Sequence, residues 1–491
     1  MRSSLLTVVW MVVAMALAMS TGCGNSGGTD KPPLPPLIRP IAQPGDCGLD
    51  SPAFCETFET ASPGGRGGDL DEKVWSFARW GHETRQHFVR NPVGTVVTRV
   101  VDGMPPAPAA LNPQPMFPSV LCGQTFSGVL MPNDVVVCNG AGVDGTMSHQ
   151  LNEVYDDQGD FAINSFRSRQ LFDFTDRTGT VVFDVDAKVN PLNLGHGWWV
   201  EFWITDDPAP MPYHEAPGVL SYPRNGVGIN FQGLNSCPQG RSATQISRVF
   251  VTKNYEILHD YMGWTLQLDS DTARCITIAD QKLNRFKIMI SKDQAEIWAS
   301  DAGDTNLHRI ATAPMLDLPF TRGYIHLQHS QYNGLKDGPV TPVQTYRWDN
   351  IGFDGPTYAI PRAYEFPDNN LPDIDGAGGR VYGYPMNDKD WTTLQLDGVD
   401  LSGAAKATLS MTAQVILGDT IEYNFNGGPP HSYTITAPKS DGRDGLRGLT
   451  IDVPLAELKS GANTFTFKIA APQKYGAEAI GNLELTLEPG N

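Results

Sequence analysis

A chain of 491 residues with a formal net charge of −18 is long enough for two or three domains, each with its own core. It is too acidic, and too poor in Lys/Arg clusters, for nucleic acid or an anionic membrane surface. Fifty Gly and 38 Pro, with aromatic residues spread throughout, point to short strands and turns rather than long helices.

The first 23 residues, MRSSLLTVVWMVVAMALAMSTGC, carry one positive charge at Arg2, an apolar run from Leu5 to Met19, and small residues before Cys23. The run is too short for a comfortable membrane span and reads as a secretory signal. Its STGC ending resembles the lipobox of bacterial lipoproteins, with Ser20 where Leu is usual. That resemblance implies lipidation at Cys23, and Gly24 after it implies sorting to the outer membrane of a diderm bacterium. The alternative is an ordinary signal with an incidental cysteine. Residues 24–45, Gly/Ser-rich and then Pro-rich, form a tether that would hold a monomeric folded body off the membrane.

Six cysteines remain, Cys47, Cys55, Cys122, Cys138, Cys237 and Cys275, an even number suited to disulfides in an oxidising compartment. Sequential pairing (47–55, 122–138, 237–275) closes the most local loops. No C-x-x-C or H-x-x-H spacing accompanies them, so no cofactor is expected, with calcium the one ion left open.

From about 46 to 356 the chain reads as alternating strands, including TVVFDVDAKV, WWVEFWITD, NGVGINFQG, RFKIMISKD, AEIWAS and GYIHLQHSQY. In WWVEFWITD, Trp198, Val200, Phe202 and Ile204 share one face, while Trp199, Glu201, Trp203 and Thr205 share the other. In NGVGINFQG, Val227, Ile229 and Phe231 face a core, leaving Gly228, Asn230 and Gln232 opposite. An all-β, two-sheet antiparallel sandwich follows, with one outward face rich in aromatics and amides. Residues 357–377 lack periodicity and read as a linker; DNNLPDIDG within them lacks calcium-loop spacing. Residues 378–491 form a smaller β-sandwich with strands TIEYNF, HSYTITA, GLTIDVPL and NTFTFKIA.

The strand order, through NSFRSRQLFDFTDRTGTVVFDVDAKV, GHGWWVEFWITDDPAP, LNRFKIMISKDQAEIWAS and YRWDNIGFDGP, resembles the concanavalin A-like jelly roll, most closely the family 16 glycoside hydrolases (laminarinases, agarases, carrageenases). That family carries E-x-D-x-E on the concave strand, where this chain has Gly228, Asn230 and Gln232. A retaining glycosidase needs two carboxyl groups about 5–5.5 Å apart, and amides neither ionise nor act as acids. The C-terminal stretch PLAELKSGANTFTFKI resembles galactose-binding-like accessory modules.

The expected function is therefore polysaccharide binding without hydrolysis. Trp199 and Trp203 would form a stacking platform. Glu201, Asn230, Gln232, His326, Gln328, His329, Tyr332 and Asn333 would supply polar contacts, unless other segments cover the Trp pair. Alternatives are a polysaccharide lyase or divergent hydrolase using Glu201 or the His/Tyr of HLQHSQYN, and an envelope or adhesion protein without a glycan ligand. Arg167 and Arg169 are expected in surface salt bridges. Asp349 and Asn350 are expected to close the sandwich structurally.

Overall fold

The structure, a computed structural model, describes residues 37–38, 47–58, 73–82, 161–185, 196–209, 219–232, 243–262, 275–278, 282–304, 306–333, 344–366, 383–415, 418–435, 446–470 and 479–490, with short strands at 120–121, 124–125, 135–137, 147–151, 214–216, 267–268 and 380–381. Residues 37–491 group as one compact unit. The signal segment and Cys23 lie outside the described residues.

The protein is all-β, and every strand pair is antiparallel among the described residues. One sheet runs in the order Leu37–Ile38, Asn306–Pro314, Gln294–Ala299, Asn284–Ile290, Gly179–Val185, Gln344–Asp354, Met147–Leu151, Val135–Val137. The facing sheet runs Glu256–Met262, Ala243–Lys253, Asn225–Gln232, His196–Thr205, Arg322–Asn333, Phe161–Ser168, Trp75–His82, Arg380–Val381. Non-sequential neighbours such as His196–Thr205 beside Arg322–Asn333 give the crossed connections of a jelly roll.

Alternation decides which side chains meet between these sheets. Phe202, Ile204, Val227, Ile229, Phe231, Ile325 and Leu327 enter the core from the facing sheet and meet Phe183, Phe286, Ile288 and Trp348 from the other. The Phe231 and Phe286 rings lie 4.5 Å apart, and Phe183 stacks on Phe286 at 5.2 Å. Burying each such side chain stabilises the fold by roughly 1.5–3 kcal/mol. The Cys47–Cys55 disulfide closes an eight-residue separation beside this core. Cys122, Cys138 and Cys237 lie outside the described residues, as does the Cys275 side chain.

A second, separate core belongs to the C-terminal sandwich. One of its sheets orders Arg362–Glu365, Ala479–Pro489, Ala404–Gln414, Leu446–Val453; the other orders Thr392–Val399, Gly461–Ile469, Thr420–Phe425, His431–Thr434. In the latter, Phe465, Phe467 and Ile469 alternate inward to meet Ile421 and Phe425.

Two short strands fall where the sequence suggested tether or linker, and a third, at the start of the segment assigned to the C-terminal sandwich, belongs to the large one. Leu37–Ile38 pairs with Leu307 and Asn306, Arg362–Glu365 joins the C-terminal sandwich, and Arg380–Val381 adds to the edge of the large sandwich beside Gly81 and Trp80. Segments this short satisfy edge hydrogen bonds without needing hydrophobic alternation.

Candidate functional site

The outward face of the facing sheet is built from rows of residues in register across its strands. One row reads Arg248, Asn230, Glu201, Gln328, Ser165, Ala78; the next reads Phe250, Gly228, Trp203, His326, Arg167, Ser76. Thus Asn230 stands on the same face as Glu201, opposite to Val227, Ile229 and Phe231, as the alternation of NGVGINFQG requires.

The first row is a hydrogen-bonded polar layer. Glu201 accepts from Asn230 Nδ2 at 2.7 Å through Oε1, and from Gln328 Nε2 through Oε2. Both carboxylate oxygens are therefore held by primary amides. Glu201 is 2% exposed and Gln328 0%, so the layer lies inside the protein. Buried polar groups persist when so paired, whereas unpaired ones would cost several kcal/mol. At the edge of the row, Arg248 pairs with Asp260 at 3.0 and 2.5 Å, and its guanidinium lies 4.5 Å above the Phe250 ring. This pair keeps part of its surface open.

The second row corrects the open stacking platform expected of Trp203. Trp203 is 2% exposed, stacked on Phe250 at 5.9 Å and packed with Ala209, Tyr222 and Ile257. It is core. Gly228 makes that packing possible, because a Cβ there would stand 2.5 Å from the Trp203 ring. His326, beside it, is 0% exposed. Burial, and the Arg167 guanidinium next in the row, push the His326 pKa well below its ordinary value. It is neutral at pH 7 and enclosed.

Arg167 and Arg169 are not surface residues. Both reach Glu484 of the C-terminal sandwich, Arg167 at 2.8 Å, and Arg169 also lies 3.6 Å from Glu365. All four side chains are at least 95% buried. Sequence reading missed this grouping because the partners lie far along the chain, Glu484 317 positions from Arg167.

Elsewhere, Asp184 and Arg285 form a buried bidentate ion pair at 2.7 and 3.0 Å, which Asn350 joins through Nδ2 at 2.8 Å. Asp349 accepts from the Asn350 backbone N–H. These contacts place both residues in strand closure. Among the described residues no group of three metal-type ligands stands together.

The other candidates lie toward the opposite end of the same strands. Register pairs Trp199 with Gln232 and Ser330, Val200 with His329, Gly197 with Tyr332 and His196 with Asn333. The side chains of Trp199, Gln232, His329, Tyr332 and Asn333 are outside the described residues.

No family model and no curated protein matches the chain. Several solved structures do. The exoplasmic/lumenal domain of VIP36, in a Ca2+/Man3GlcNAc-bound form, is 8% identical, covers 44% of this chain and 83% of that one, with a TM-score of 0.27. Lectin II from Ulex europaeus is 11% identical over 45% of this chain and 91% of its own, at 0.26. The Emp46p carbohydrate recognition domain, in a potassium-bound form, is 7% identical over 46% and 88%, at 0.28. Scores this low leave the fold to be read from the strand order itself, which is a two-sheet antiparallel sandwich followed by a smaller one.

Proposed function

We propose that this protein binds polysaccharide without cleaving it, using the outward face at its Trp199 end. The observation that carries the reading is the state of Glu201. The one carboxylate in its row is clamped by two amides and enclosed, and Gly228 and Asn230 supply no second acid beside it. Among the described residues of that row, no second carboxyl stands beside it for paired-carboxylate hydrolysis. The register supports binding at this end: Trp199 pairs with Gln232 and Ser330, one row beyond Glu201. An aromatic ring offers a stacking surface, and amides offer donors and acceptors to hydroxyls. On this reading the sheet is a family 16-like face whose acids are replaced. The galactose-binding-like C-terminal module suits the same carbohydrate context. The apolar run before Cys23 and its STGC ending support export and a lipid anchor, with outer-membrane placement.

A second reading, an envelope or adhesion protein without a glycan ligand, is favoured by the closure of the face around Trp203 and His326. That enclosure, with Glu201 2% and His326 0% exposed, also weighs against the hydrolase and lyase alternatives built on them.

The test is affinity electrophoresis of the full chain through gels containing laminarin, agarose or carrageenan, with a parallel assay for reducing ends and unsaturated products. The reading expects retardation on at least one polymer and no new chain ends. Release of reducing ends or unsaturated sugars contradicts the non-catalytic claim. Free migration in all three supports the envelope reading instead.

A further inference from the structure

We propose that the C-terminal sandwich is a fixed part of the large one, latched to it by a buried charge cluster, and not a module swinging on a linker. Two independent observations lead there. The first is the cluster of Arg167, Arg169, Glu484 and Glu365. Arg167 comes from the Phe161–Ser168 strand of the large sandwich and Arg169 follows directly after it. Glu484 sits on the Ala479–Pro489 strand and Glu365 on its neighbour, Arg362–Glu365. One Glu484 carboxylate serves both guanidiniums, and the Thr486 hydroxyl donates to its Oε1 at 3.1 Å. The Tyr324 ring lies 4.5 Å under the Arg167 guanidinium and fixes its direction. A loosely tethered domain makes exposed, salt-screened contacts with its neighbour. Here the charges are inside, where salt reaches them poorly and where losing one partner strands the others.

The second observation is the path of the chain. It pairs into the C-terminal sandwich at Arg362–Glu365, returns to the edge of the large sandwich at Arg380–Val381, and re-enters the C-terminal sandwich at Gly383–Pro385. Three crossings stitch the two bodies together. Undocking would break backbone pairing as well as the charge cluster. The stretch that looks like a linker by composition is thus part of the joint.

The test is hydrogen–deuterium exchange on the full chain, with calorimetry alongside. The latch predicts one cooperative unfolding transition that molar NaCl hardly moves. It predicts that Glu484→Gln speeds exchange about tenfold or more in both the 161–168 and the 479–489 strands, because both lose the same anchor. Glu488→Gln, which removes an exposed contact of the same strand with Lys406, serves as the control and leaves both strands at wild-type rates. Two separate transitions in the wild type overturn the proposal. So does faster exchange confined to 479–489 in Glu484→Gln. If that variant fails to fold, Glu365→Gln serves instead: Glu484 keeps the protein folded, but Arg169 loses its second carboxylate, and a smaller acceleration in both strands is expected. Faster exchange in both strands supports the latch, and an unchanged 161–168 strand overturns it.

Discussion

At the scale of single residues, Gly228 and Glu201 define the outward face. In the resembling hydrolases this strand bears acids; here Gly228 yields its side-chain volume to Trp203, whose ring lies against the backbone at the place a Cβ would occupy. Gly228→Ala forces a well-packed indole to shift, and overpacking of this kind costs typically about 1–3 kcal/mol. Chemical denaturation should register that loss, with the denaturant slope unchanged; a neutral result would mean that the Trp203 pocket is slack. A Glu at 228 would meet the same ring, so packing alone keeps a carboxylate from this position. The alternation of NGVGINFQG made the facing of Val227, Ile229, Phe231 and Asn230 legible, since a period of two settles which residues share a side. It was silent on cover. Nothing in WWVEFWITD says that Ala209 and Tyr222 close over Trp203, because shared facing and solvent exposure are separate facts.

Among elements, the short Phe172–Asp173 strand is fastened by pairing with Arg322 and Gly323, by the buried Phe172 ring and by one carboxylate. Burial pushes the Asp173 pKa up, but hydrogen bonds from Tyr358, Thr175 and Arg322 outweigh it and hold the value at about 2. Tyr358 Oη donates at 2.5 Å, the Thr175 backbone N–H at 2.8 Å and Arg322 Nε at 2.6 Å. A carboxylate depressed in the folded state stabilises it at pH above the unfolded value near 3.8, and this contribution fades as pH falls toward 2. Acid titration of stability should therefore decline through that window, and Asp173→Asn should flatten the decline; an unchanged profile in the variant would show that other carboxylates carry it. The long strands were readable from alternation, as in TIEYNF and NTFTFKIA. Leu37–Ile38, Arg362–Glu365 and Arg380–Val381 were not, because two to four residues in Pro- and Gly-rich surroundings carry no period to read.

Across the whole molecule, the sheet that bears the candidate site is closed over much of both faces. Its inward side packs the large core, and its outward side carries a polar layer around Glu201, an aromatic cluster around Trp203, and the arginines that hold the C-terminal sandwich. On the proposed reading, recognition of a glycan falls to the Trp199 end of the strands. The long-range pairings that produce this closure, such as Arg167 with Glu484, join positions 317 apart and leave no local signature in sequence. The two tryptophans of WWVEFWITD consequently have different expected roles, which one paired experiment separates. Affinity electrophoresis on a retarding polysaccharide, with melting temperature measured on the same samples, compares Trp199→Ala with Trp203→Ala. The account predicts that Trp199→Ala loses retardation while melting as the wild type does. It predicts that Trp203→Ala keeps retardation but melts on the order of 10 °C lower, as emptying a buried indole site should. Lost retardation with an unchanged melting temperature in Trp203→Ala, or full retardation in Trp199→Ala, would contradict it.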